Sequence, residues 1–124
     1  MSHPVLNNIE LPATDMNATK AFYSAVFGWT WTEYGPTYSA ADANGVEVGL
    51  TTDATPAAAP PADDESSIGP LVLLQTEDLD ASMAAITANG GDIVTNPFGF
   101  PGGRRFHFSD PSGNVLGVYR IDGR

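Results

Sequence analysis

The stretch "FHFSDPSGNVLGVYR", residues 106–120, consists of two aromatic and aliphatic runs flanking a tight turn. Asp110-Pro111-Ser112-Gly113 places Asp at i, Pro at i+1 and Gly at i+3, the preferences of a type I turn. The turn joins two antiparallel strands, and Asp110 reads as a turn-former bonding its own backbone rather than as a catalytic acid. The second run contains Gly117 at a position where a strand ordinarily packs a side chain. What that glycine replaces decides much of the functional reading.

Working outward, the chain repeats itself. "VLNNIELP" precedes "TDMNATKAFYSAVFGW", and "PLVLLQT" precedes "EDLDASMAAITANGGD". A shift of 63 residues (from 15 to 78) lays Asp15 on Asp78, Met16 on Leu79, Ala18 on Ala81, Ala25 on Ala88 and Gly28 on Gly91. Such self-similarity marks a duplicated structural unit. Asp15 suits a helix N-terminus, and Gly28, like Gly90 or Gly91, suits a left-handed stop. Ala18, Ala21, Phe22, Ala25 and Val26 recur at helical spacing. Short strands are predicted at about 29–35, 37–42 and 45–51, then 92–95, 104–109 and 114–121, so each half is strand, helix, three strands. "TTDATPAAAPPADDESS", 51–67, has little to bury and separates the halves. The expected organisation is a single domain over 1–124, with module 1 at about 4–51, a linker at about 52–68 and module 2 at about 69–122.

Composition narrows the function. A chain of 124 residues is long enough to bury about two thirds of its unfolded surface. Fifteen acidic against five basic residues give a formal net charge of −10, which repels nucleic acid and anionic membrane surfaces. That charge serves solubility first and attraction of a cationic ligand second. Without cysteine there is no disulfide, thiolate ligand or thiol nucleophile. "MSHPVLNN" lacks the apolar core of a signal peptide, so a cytoplasmic protein is expected.

The doubled strand-helix-three-strand unit, "DMNATKAFYSAVFGW" near the start and "FSDPSGNVLGVY" near the close resemble the vicinal oxygen chelate superfamily. This superfamily includes glyoxalase I, extradiol dioxygenases and bleomycin-resistance proteins, and the look extends to bacterial proteins related to lactoylglutathione lyase. The resemblance implies an α+β fold in which two tandem βαβββ modules form a curved mixed sheet with a concave cavity, helices on the convex side. It also implies metal ligands (His, Glu or Gln) from the first and last strands of each module. Carried over one at a time, these positions fall on Asn8, on Leu71 by the 63-residue offset, on Gly49 and on Gly117. Gly117 thus stands where a metal-binding glutamate would stand. Neither a metal nor any other cofactor is expected, and lactoylglutathione lyase activity is not expected either.

Strand alternation sorts the faces, since successive side chains point to opposite sides. With Asn8, Gly49 and Gly117 inward, so are Leu6, Glu10, Glu47, Thr51, Leu71, Leu73, Gln75, Val115 and Tyr119. Arg105, His107 and Ser109 take the same side, while Phe106 and Phe108 pack beneath the helices. The two glycines are expected to widen the cup. The candidate catalytic residues are His107, Glu10 and Glu47, His107 as a general base oriented by a glutamate. The candidate ligand-binding residues are Asn8, Gln75, Tyr119, Phe98 and Phe100. Trp29, Trp31, Tyr34 and Tyr38 are either walls of the cup or core, and "FGFPGGRR", 98–105, is either a mobile loop over its mouth or a simple β-connection.

The expected function is binding of a small organic molecule, cationic or aromatic, in a cup without the family metal. The alternative is a lyase or isomerase with a divergent metal site drawn from His107, Glu10 and Glu47. A third possibility is a structural or regulatory module with a vestigial cavity. The cup closes within one chain or across a homodimer; the linker allows both.

Overall fold

In the computed structural model, which describes residues 3–57 and 70–122, each half folds as strand, helix and three strands. The first module comprises β1 (Asn8–Pro12), α1 (Met16–Phe27), β2 (Trp31–Glu33), β3 (Tyr38–Ala43) and β4 (Val46–Thr51). The second comprises β5 (Leu73–Gln75), α2 (Leu79–Ala88), β6 (Asp92–Phe100), β7 (Gly103–Ser109) and β8 (Val115–Ile121). Hydrogen bonding divides them into two four-stranded mixed sheets of equivalent order, β1-β4-β3-β2 and β5-β8-β7-β6. Two tandem βαβββ modules, an α+β architecture, are therefore what this sequence builds. Most of the expected linker, residues 58–69, lies outside the described residues.

The two helices begin alike because the same side chain caps both. Asp15 accepts from the Ala18 N–H at 3.0 Å, and Asp78 accepts from the Ala81 N–H at 3.0 Å. Each carboxylate satisfies an amide that the first helical turn leaves free. Gly28 ends α1 at φ 74°, a conformation that costs a Cβ-bearing residue but not glycine. The buried face of α1 is centred one position later than the alanine spacing suggested. Thr19, Phe22 and Tyr23 are buried with Val26 and Phe27 packed beside them, while Ala21 and Ala25 are exposed. Large aromatic rings take the core face, and alanine is small enough to sit on either.

One apolar core serves both modules. Leu11, Val48 and Leu50 from the first sheet join Phe106, Phe108, Leu116 and Val118 from the second, with Phe22 and Tyr23 between. Trp29 stacks on Tyr23 at 5.0 Å with an 11° interplanar angle, and Trp31 meets it edge-on. Both tryptophans are half-buried and pack against the core.

The turn at 110–113 closes as expected, Gly113 N–H donating to the Asp110 carbonyl at 2.9 Å. Its role extends to the other module. Ser112 Oγ accepts from the Thr14 N–H and lies 2.6 Å from Thr19 Oγ1, and Asn114 Nδ2 donates to the Pro12 carbonyl at 2.7 Å. The buried Asp110 carboxylate accepts from the Ser112 and Asn114 amides, from Asn114 Nδ2 and from the Tyr23 hydroxyl at 2.8 Å. The turn is thus a clamp on the β1–α1 junction.

Residues 98–105 are not a mobile loop. β6 runs on through Phe100, and Phe100 pairs with Gly103 across a two-residue connection. Pro101 followed by Gly102 at φ 105° supplies the residues of a tight type II reversal. The register slips on either side of Thr95, accommodating Pro97, which has no N–H for the ladder. Gly103 has to be glycine because a Cβ there would collide with the Arg120 carbonyl on β8.

Candidate functional site

Strand register places the sequence-derived candidates in two groups. On the first sheet Asn8 pairs with Glu47 and Glu10 with Gly49, so all four share one face. Asn8 Nδ2 donates to Glu47 Oε1 at 2.6 Å, and Asn8, Glu10 and Glu47 are exposed. On the second sheet Leu73 and His107 both pair with Gly117, while Gln75 and Arg105 both pair with Tyr119. Leu73–Gly117 in the second sheet is the counterpart of Glu10–Gly49 in the first: Leu73 lies 63 residues after Glu10, and Gly117 lies 68 after Gly49.

The two glycines do not widen a cup. A Cβ on Gly49 would run into the Tyr38 hydroxyl, so that ring lies over Gly49. A Cβ on Gly117 would stand 2.6 Å from Leu73 Cδ2 and 3.1 Å from His107 Cδ2. Each glycine yields its side-chain volume to a neighbour: Tyr38 in the first module, Leu73 and His107 in the second.

Around His107 the second sheet gathers most of the chemistry. Phe98 meets the imidazole edge-on at 5.5 Å, and Phe100 meets Tyr119 in the same way at 6.2 Å. The Arg105 guanidinium stands 5.2 Å from the Phe98 centroid and 5.8 Å from that of Phe100, cation–π distances. The Tyr119 hydroxyl donates to Gln75 Oε1 at 3.3 Å. His107 is 0% exposed, and neither ring nitrogen has a hydrogen-bond partner among the described residues. Burial, with a smaller contribution from the Arg105 charge, lowers its pKa below the usual value, so the imidazole is neutral near pH 7. Arg105 Nε is also buried without a partner among the described residues.

A cavity of about 570 Å³ opens elsewhere, against the helix-side residues Ile9, Val48, Val72 and Leu74 and the aromatic end of α1 at Phe27 and Trp29. Of the sequence candidates only Gln75 reaches it. Its walls are aliphatic and aromatic with Asp42, Asn44 and Gln75 among them, and Asp42 already accepts from the Gly45 N–H at 2.8 Å to hold the β3–β4 turn. Size suits a ligand, but the guanidinium and the rings around it that could hold a planar one lie on β6, β7 and β8, outside this cavity. The chemistry is therefore around Arg105 and Tyr119.

Residues 5–118 match the family model described as the Glyoxalase/Bleomycin resistance protein/Dioxygenase superfamily. The chain belongs to that superfamily. Over 124 residues it is 30% identical to the CFP32 protein of Mycobacterium tuberculosis, with 94% of this chain covered but only 45% of that protein. It thus spans about half the length of that relative. A glyoxalase/bleomycin resistance protein/dioxygenase family enzyme from Burkholderia phytofirmans superposes with TM-score 0.74 at 18% identity, covering 95% of this chain and 99% of the other. TnmS3, an antibiotic binding protein from Streptomyces, superposes with TM-score 0.68 at 24% identity, covering 98% and 99%. At these identities the superpositions speak for the fold.

Within this superfamily fold, the residues at the expected metal positions do not fit a metal. Gly49 and Gly117 offer no donor, Leu71 is aliphatic, and the Asn8 side chain is engaged by Glu47. No three His, Asp or Glu side chains among the described residues stand close enough to hold an ion. Glu10 and Glu47 share a face of the first sheet, but His107 lies buried in the second, and the three do not form a group. Among the described residues no helix is long and apolar enough to cross a membrane. Arg105, which alternation had put on the face of His107, went unselected; its signal was its place two residues before the histidine, opposite Tyr119.

Proposed function

We propose that this protein binds a small aromatic organic molecule against the polar face of its second sheet, and that it does so without the superfamily metal. The observation that carries this is the grouping of Phe98, Phe100 and Tyr119 around one guanidinium, with Gln75 alongside. Flat apolar rings beside a few placed polar groups give a planar ligand both contact area and orientation. Support also comes from the likeness in fold to an antibiotic binding protein. A lyase or isomerase needs a base within reach of substrate and a group to stabilise the charge it creates. Here the histidine is buried beneath Phe98 and Leu73, away from Glu10 and Glu47, and no observation favours that alternative.

The test is elemental analysis of untagged protein, melting with and without chelator in Zn, Ni, Mn and Fe, and calorimetric titration with planar compounds of one to three fused rings. The expected result is no stoichiometric metal, no metal-dependent shift in Tm, and saturable 1:1 binding that Phe98→Ala and Tyr119→Ala weaken. A stoichiometric metal that raises Tm would overturn the metal-free reading and make catalysis the leading function.

A further inference from the structure

Arg105 is an anomaly of supply. The chain has fifteen acidic residues and five basic ones, so carboxylates are plentiful. Among the described residues Lys20 pairs with Glu33, Arg120 pairs with Asp122 and Arg104 donates to the Pro97 carbonyl, whereas Arg105 makes no ion pair and its Nε no hydrogen bond. It is instead half-buried over two phenylalanine rings, with Nε buried and unbonded. A guanidinium is planar, always charged and carries a fork of donors matched to a carboxylate. Leaving a buried donor unmade is costly, and more so when it is charged.

A second, independent group lies beside it. His107 is fully buried on the same face of the same strand, with both nitrogens unpartnered among the described residues. Beside it Leu73, whose Cδ2 overhangs Gly117 next to the imidazole, is 40% exposed and has open space on its outer side. A neutral imidazole presents one N–H donor and one acceptor nitrogen.

Given the reading of this face as a ligand site, we propose that its ligand is an aromatic carboxylate: the ring lies against Phe98, Phe100 and Tyr119, and the carboxylate is received by Arg105 and the N–H of His107. The net charge of −10 does not oppose this. Long-range repulsion between exposed charges is screened beyond about 8–10 Å at physiological salt, whereas a contact pair in a half-buried site is screened much less. The overall charge slows the approach of an anion; Arg105 decides what stays. A cationic ligand would meet a guanidinium at the rings.

Three probes sharing one ring system test this on the whole chain: 2-naphthoate, 2-naphthamide and 2-naphthylmethylammonium, titrated calorimetrically at fixed salt. The acid is expected to bind at least about tenfold more tightly than the amide, equivalent to ~1.4 kcal/mol, and the cation more weakly than either. Arg105→Gln should abolish the preference of the acid over the amide. Arg105→Lys, keeping the charge but not the fork, should retain part of the preference, and His107→Leu should reduce it several-fold. If the amide or the cation binds as well as the acid while Phe98→Ala still weakens binding, the carboxylate assignment fails and the aromatic site stands. If none of the three binds, or Phe98→Ala and Tyr119→Ala change nothing, both readings fall.

Discussion

At Gly117 the absence of a side chain is filled by packing, and this has a measurable consequence. Restoring the glutamate that the superfamily pattern leads one to expect would set its Cβ 2.6 Å from Leu73 Cδ2 and 3.3 Å from the Phe106 carbonyl. Gly117→Glu should therefore lose about 1–3 kcal/mol, as overpacked sites do, read from the urea midpoint, and should gain no metal affinity. Leu73→Ala in the same background should recover part of the loss, since Leu73 is the nearest clash. His107 adds a pH signature of its own. Its folded pKa is depressed, so below about 6.5, the ordinary histidine value, the unfolded chain takes up a proton that the folded chain refuses. Its contribution to stability is thus full above that value and falls as pH drops towards the folded pKa, then levels off. Wild type should lose unfolding free energy relative to His107→Leu from pH 8 to pH 5; a relative gain over that range would contradict the assigned direction.

Among the elements, those defined by local chemistry were the ones legible in advance. The Asp15 cap, repeated at Asp78, and the type I turn at Asp110 each rest on residues a few positions apart. The full length of β6 was not legible, because Gly99, Pro101, Gly102 and Gly103 read as loop while its alternation is broken by slips around Thr95. Equally hidden was the bond from Tyr23 to Asp110, which joins residues 87 positions apart. Hence Asp110 was read as a turn residue alone, when it also anchors α1. Of the site, alternation delivered the shared face of His107, Tyr119 and Gln75; what it could not deliver was that Tyr38 and Leu73 would fill the space above the glycines. The buried Tyr23–Asp110 pair yields the test at this scale. Burial, then the Asp110 charge, hold the Tyr23 pKa well above 10, so the folded chain keeps a proton that the unfolded chain releases there. Stability should be intact below pH 10 and fall as pH rises past it. Tyr23→Phe should remove that alkaline loss, and at pH 7 should cost about 1–3 kcal/mol for the carboxylate bond left unmade, both read from denaturant curves at stepped pH.

For the whole molecule, the question is whether two copies of one motif behave as two units. Their sheets share no ladder, which would allow independent melting. The packing argues against it. Phe22 and Phe27 of α1 lie 5.9 and 6.0 Å from Phe108 of β7, and the 110–114 turn holds Pro12, Thr14 and Tyr23 of the first module. Opening either module would expose the aromatic face of the other, so partial unfolding forfeits most of the shared core. The tryptophans, Trp29 and Trp31, report on the first module, and the histidine at the centre of the candidate site reports on the second. Tryptophan fluorescence and the His107 proton resonance should therefore lose their native signals at the same urea concentration, in one transition. Separate midpoints would mean that the clamp is weaker than its hydrogen bonds suggest, and that the ligand face of the second sheet can form without the first module. A single midpoint would tie the site to the whole chain: a substitution in α1 far from Arg105, such as Phe22→Ala, would then reduce the folded fraction and the binding capacity together, while leaving the affinity of the folded fraction unchanged.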